Sequence, residues 1–187
     1  MCAGLLRRGH SADGVIDEGA LIGGREPREI VIVDYDPSWP KRFERERERL
    51  ASALGPLALT IEHVGSTAVP GLAAKPIVDL LITVKDPEDE SLGAPIEAAG
   101  YELRVREPAH RMFRTPERDV HVHLWAAEDP EVCRLLRFRD RLRASPQDRA
   151  AYAGLKRTLA RRSWPDMNAY ADAKGPLIES ILSRAEG

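Results

Sequence analysis

Cysteine is scarce in this 187-residue chain: Cys2 and Cys133 are the only two, and most of the sequence lies between them. That spacing excludes a Cys-rich zinc module and offers no disulfide framework, so a reducing compartment is expected. Long apolar runs are missing too, and none approaches the roughly 20 residues of a membrane span. After Arg7 and Arg8 come Asp13, Asp17 and Glu18, where a signal peptide needs an apolar core. The chain is therefore read as cytoplasmic, with no membrane partner. Aromatic residues are few, at 5%, and net charge is only −2. The arginines of "RLLRFRDRLR" span most of a helix circumference, so they signal a solvated surface more than a nucleic-acid partner. There is no internal repeat and no low-complexity segment.

What remains is one globular domain. With 43% hydrophobic and 31% charged residues, the chain can bury a sizeable core but has no room for a second large domain. Residues 1 to 27 lack a sustained period and are rich in Gly, which predicts a mobile extension, with a single folded domain over 28–187. Ile30 to Val33 reads as a short strand. Trp39, Phe43, Leu50 and Leu54 then recur at helical spacing, with "ERERER" on the solvated faces. Strands are predicted over Leu57–Val64 and Pro76–Val84, a short helix over Glu88–Ala99, and strands around Tyr101–Arg106, Met112–Thr115 and Asp119–Trp125. In "DVHVHLW" the alternation puts Val120, Val122 and Leu124 on one face and His121, His123 and Trp125 on the other. Three helices follow, the last interrupted near Gly175-Pro176. Strands first and helices afterwards predict an α+β fold, a mixed sheet flanked by helices with a helical C-terminal third.

The chemistry concentrates in "IEHVGSTAVPGLAAKPIVDLLITV", Ile61 to Val84. Asp79 stands alone in an apolar run, and burying a carboxylate costs several kcal/mol unless it is paired or coordinated. Gly65-Ser66, with Thr67 beside it, follows one strand and opens a loop, a place where backbone N–H groups cradle phosphate. His121 and His123 share a strand face, so Asp79, one or both imidazoles, and Glu62 or His63 are candidates for a mixed N/O metal site. Such donors favour Zn²⁺, Mn²⁺, Fe²⁺ or Ni²⁺ over Mg²⁺. The competing reading is a cleft in which Asp79 simply pairs an imidazole. Lys75, Arg111, Arg114, Lys156 and Lys174 are candidate anion ligands, although each can equally reach solvent or pair with an acid.

An apolar residue, Gly-Ser, a short loop and an Asp-bearing strand resemble the nucleotidyltransferase superfamily. Leu81 stands where that signature places a second carboxylate. The longer string "EHVGSTAVPGLAAKP", with "DYDPSWPKRFERE", "HRMFR", "HVHL", "FRDRLR" and "YADAKGPLIE", is similar to the GrpB-like family. That family also occurs as a domain appended to dephospho-CoA kinases. The resemblance implies a nucleotidyltransferase-like fold and a cleft for a nucleotide or another phosphorylated small molecule. Gly65, Ser66, Thr67, Lys75, Arg111, Lys156 and Lys174 would contact the ligand. Asp79, His121 and His123 would act in catalysis, with a divalent metal (Mg, Mn or Zn). It equally allows a non-catalytic binding or regulatory module that has lost the two-metal carboxylate pair.

Overall fold

The structure is a computed structural model describing residues 20–22, 24, 29–164 and 167–185. Helix α1, Trp39–Leu54, buries Trp39, Phe43, Glu46, Leu50 and Leu54 along one face and stops at Gly55, whose φ is +52°. Glu46 tolerates burial because the Tyr101 hydroxyl donates to its Oε2 at 2.6 Å. Strands β1 (Thr60–Val64) and β2 (Val78–Val84) follow, then a 3-10 turn at Glu90–Leu92 and helix α2 (Gly93–Ala98). After these come β3 (Glu102–Glu107), β4 (His110–Arg114), β5 (Val120–Ala126), and helices α3 (Pro130–Ala144), α4 (Pro146–Ala160), α5 (Met167–Asp172) and α6 (Gly175–Ser183).

The sheet order is β1-β2-β5-β4-β3. Only β2 and β5 run parallel; the other neighbours are antiparallel. Because side chains alternate across a strand, the two faces divide cleanly. One carries Leu80, Ile82, Phe113, Val122 and Leu124 into the main core against α1 and Ile96 of α2. The other carries Asp79, Leu81, His121 and His123. Over its β1 end Val132 of α3 packs on Val64 and Leu81. A third apolar cluster, Val69, Leu72, Leu142, Tyr152 and Ile181, ties the loop after β1 to α3, α4 and α6.

Several expectations are corrected. Ile30–Val33 is not a strand: only Val33 bridges to Ala74, and Val31 and Val33 remain exposed with no strand beside them. The third C-terminal helix is two, because the region of Lys174 to Pro176 breaks it; Pro176 sits in the first turn of α6, where its missing N–H costs nothing. Of the predicted mobile extension, residues 20–22 and 24 are described. Leu21 bridges to Val105 and the Ile22 N–H donates to Arg104 O at 2.9 Å, so this segment covers the free edge of β3. The remainder of 1–27 lies outside the described residues. No helix among the described residues is long and apolar enough to cross a membrane.

Leu80 is fully buried at the centre of the main core. Leu80→Ala should lower unfolding free energy by about 2–5 kcal/mol, the cost of a lost side chain plus its cavity. Val31→Ala, at an exposed position, should stay within about 0.5 kcal/mol. Urea denaturation of the two variants checks the assignment of the core face.

Candidate functional site

Asp79 is the second residue of β2, opposite Val64 of β1 and His121 of β5. His123 is one step further along the same face, opposite Leu81. His121 Nδ1 lies 3.3 Å from Asp79 Oδ1, and His123 Nε2 lies 3.9 Å from the same oxygen. One ligand atom from each of the three residues falls within 4.8 Å of the others. All three side chains remain about a quarter exposed, so the cluster opens to solvent. Burial pushes the Asp79 carboxyl up, but the His121 and His123 imidazoles beside it outweigh burial and hold the group below the usual carboxylate range.

Gly65 ends β1 directly beneath this carboxylate. Its φ is +70° and its ψ −171°, a region that essentially only glycine occupies. A Cβ there would meet Asp79 Oδ2 at 2.3 Å. The Ser66–Ala68 turn follows, and Thr67 locks it: the Thr67 hydroxyl donates to Ile77 O at 3.0 Å. Its single proton being used, Thr67 Oγ1 accepts from His63 Nε2 at 3.1 Å. Ser66 Oγ accepts from Lys156 Nζ at 2.8 Å, while the same ammonium donates to Ala73 O at 2.5 Å.

Lys156 is one of three lysines drawn together by two tyrosine rings. Lys156 Nζ stands 4.7 Å from the Tyr152 centroid; Lys174 and Lys75 stand 4.6 Å and 5.5 Å from that of Tyr170. Burial, then repulsion from Lys174, Arg157 and Lys75, lowers Lys156 to about 7. Burial and Lys75 lower Lys174 to about 8, with Asp79 opposing. Tyr170 is buried and its hydroxyl has no hydrogen-bond partner among the described residues.

Of the predicted residues, the structure brings together Asp79, His121 and His123, over Gly65 and the Ser66–Thr67 turn, with Lys156 joined to Ser66. It does not bring in the other two metal candidates. His63 pairs with Leu80 and so projects from the opposite face, where it stacks on Phe43 at 4.7 Å. Burial lowers it to about 4, so it serves the turn as a neutral donor. Glu62 instead accepts from Arg139 of α3 at 2.8 Å. Arg111, expected at the ligand, also lies on the opposite face; it donates to Glu107 O at 2.6 Å and His110 O at 3.0 Å. A cavity of about 370 Å³ opens between α1, β1 and α3, lined by Phe43, His63, Arg139 and Arg143. Asp79 is not among its walls, so this cavity is separate from the side-chain cluster.

Two residues escaped the sequence reading. His110 Nδ1 lies 2.9 Å from Glu107 Oε2, and His110 Nε2 lies 3.2 Å from His123 Nδ1. Burial pushes the His110 imidazole below its ordinary value, with Glu107 opposing. The only sequence signal was a histidine at the start of a strand that would have to neighbour "HVHL".

A family profile described as GrpB protein matches residues 29–184. The chain belongs to the GrpB family. The UPF0157 protein of Streptomyces coelicolor is 52% identical over 167 residues, covering 88% of this chain and 89% of that protein. The crystal structure of the conserved protein GrpB from Enterococcus faecalis superposes with a TM-score of 0.74 at 34% identity, over 83% of this chain and 96% of that one. A dephospho-CoA kinase from Mycolicibacterium paratuberculosis is 33% identical over 83% of this chain, which spans only 46% of the kinase. At 16% identity and a TM-score of 0.50, over 70% of this chain and 45% of that one, the GLD-2/RNP-8 complex supplies a likeness of fold alone, nucleotidyltransferase-like.

Gly65→Ala tests the contact beneath the carboxylate. Strain at this backbone geometry costs about 1–3 kcal/mol, and the added methyl must displace Asp79. Reduced stability in urea together with shifted His121 and His123 ring resonances is the expected result; unchanged rings would show that Asp79 does not rest on Gly65.

Proposed function

We propose that this GrpB-family domain binds a nucleotide or another phosphorylated small molecule in the cleft above Gly65-Ser66 and uses it in metal-assisted nucleotidyl or phosphoryl transfer. The observation that carries this reading is the convergence of Asp79, His121 and His123 on the turn whose Ser66 is held by Lys156. Lys75 and Lys174 stand beside that lysine around the two tyrosines. Three ammonium groups held close to one another repel, and a phosphate among them removes that penalty.

The residues fit one divalent ion. Donors 3.3 and 3.9 Å apart are near the edge of about 3.3 Å that bonds of about 2.0–2.1 Å make around a tetrahedral ion. They do not fit a two-metal centre: Leu81, at the second carboxylate position, is fully buried against Val64 and Val132. Bound at Asp79, His121 and His123, a metal supplies Lewis-acid polarisation of a phosphoryl oxygen. The chain's own work is positioning. The turn at Ser66 seats the anion, the lysines offset charge that grows during transfer, and Asp79 remains ionised throughout. The buried Leu81 also favours a second reading, a binding module without turnover.

A thermal-shift panel of nucleotides and coenzymes, with and without Mg²⁺, Mn²⁺ and Zn²⁺, tests the reading. A ligand at 100 times its Kd adds about 2.7 kcal/mol of stability, and Lys174→Met should remove most of that shift. Where turnover is found, Asp79→Asn should lower it about tenfold for each 1.4 kcal/mol of lost transition-state stabilisation. Binding without turnover under any metal would select the binding module, and no phosphorylated ligand at all would refute both.

The lysines give a pH signature. Sulfate keeps its charge across the range, so its affinity reports the protein alone. The ammonium charge of Lys156 is complete only below about 7 and that of Lys174 only below about 8. Sulfate affinity measured by calorimetry should therefore rise as pH falls through these values, with proton uptake on binding, and Lys156→Met should flatten the profile. A flat wild-type profile would remove these lysines from the anion site.

A further inference from the structure

We infer that Glu107 and His110 form a positioning relay that holds His123 as its Nδ1–H tautomer and turns its bare Nε2 toward Asp79, so that the cluster selects a borderline transition ion such as Zn²⁺ over Mg²⁺. This rests on the metal reading proposed above and says which residues of the chain set up the site.

The direction of each hydrogen bond follows from what each group can do. A carboxylate only accepts, so the 2.9 Å contact to Glu107 Oε2 requires the proton of His110 to be on Nδ1. A neutral imidazole has one N–H, which leaves His110 Nε2 as an acceptor. The 3.2 Å contact to His123 is then made by the His123 Nδ1–H. His123 Nε2 is left with a lone pair facing an Asp79 oxygen 3.9 Å away, two acceptors opposed beyond hydrogen-bond reach. A cation between them resolves that opposition, and a carboxylate–imidazole chain behind a ligand raises its basicity and fixes its ring. Two imidazoles and one carboxylate suit Zn²⁺; Mg²⁺ asks for an octahedron of oxygens.

The relay is built into the sheet. Glu107 and His110 close the β3–β4 hairpin as a cross-strand pair, through a turn in which Ala109 takes a φ of +60°. The Ala109 N–H donates to Glu88 Oε1 at 2.8 Å, and Arg111 clamps the same hairpin through the carbonyls of Glu107 and His110. Trp125 stacks on His110 at 4.3 Å with the rings 14° apart, so the imidazole cannot swing away. Nothing about backbone stability calls for a second histidine aimed at His123.

The test uses the full chain and two measurements. Long-range ¹H–¹⁵N correlation on the metal-free protein assigns the tautomer of His123; competition against a chromophoric chelator gives Zn²⁺ affinity, with Mg²⁺ titrated in parallel. Expected are an Nδ1–H His123, Zn²⁺ bound at least about 100-fold more tightly than Mg²⁺, and a loss of about 10–100-fold in Zn²⁺ affinity in Glu107→Gln and in His110→Phe, which keeps the stack on Trp125. His110→Gln, able to donate to Glu107 and accept from His123, should recover most of the affinity, and thermal unfolding of the metal-free variants separates folding from positioning. An Nε2–H His123 overturns the relay whatever the metal result. Zn²⁺ affinity equal in wild type, Glu107→Gln and His110→Phe overturns it while leaving the metal site standing. Absence of Zn²⁺ binding to the wild type overturns the metal reading itself, and with it the relay's role.

Discussion

Asp79 and His121 share one row of the sheet because β2 and β5 run parallel with these residues opposite each other. Parallel neighbours require a crossover, and here the crossover from residue 85 to residue 119 contains α2 and the β3–β4 hairpin. That hairpin returns antiparallel along β5, with His110 opposite Trp125 and Met112 opposite His123. A single pairing thus determines both which imidazoles meet the carboxylate and which residues stand behind them. A slip of one residue would send Asp79 into the apolar core, where Leu80 and Ile82 now pack on α1.

The two faces of the sheet divide stability from chemistry. Against α1 and α2 the side chains are apolar almost throughout, and the polar groups there have structural partners: Glu46 with Tyr101, His63 with Thr67, Arg111 with the hairpin carbonyls. On the other face the helices leave Asp79 and the two histidines open. What the C-terminal helices bring to that side is positive charge on buried stems: Lys156 from α4 and Lys174 from the start of α6, each over a tyrosine ring. Folding has to work against both desolvation and mutual repulsion to hold these groups, and both effects lower their affinity for protons.

The sequence was most legible where a period or a single violation of it was visible. The α1 face, the alternation of "DVHVHLW" and the lone acid in the β2 run each correspond to what is observed, because burial imposes those patterns residue by residue. Pairing between strands leaves no such mark. Glu62 and His63 looked available as ligands until the register placed Val64 opposite Asp79 and His63 on the core face. Arg111 looked like an anion ligand until its pairing with Leu124 put it on the core side. His110 needed three facts that no periodicity contains: a two-residue hairpin turn, the β4–β5 register and the stack on Trp125. Ile30–Val33 has strand composition, but only Val33 finds a neighbour, at Ala74.

Leu81 explains why the charge balance of this cleft differs from that of a two-metal site. Its side chain is fully buried with Val64 and Val132, so a carboxylate there would need α3 to move away or would remain desolvated and unpaired. With that position closed, Asp79 is the one acid of the Asp79–His121–His123 cluster, and Lys75, Lys156 and Lys174 stand around the neighbouring tyrosines. A site with two or three carboxylates needs two metal ions before it attracts an anion. On the single-metal reading proposed above, one ion added to one carboxylate would leave the cleft positive, and the lysines would add to that charge. The buried Leu81 that argues against a two-metal centre is therefore compatible with the single-metal, anion-binding site proposed above.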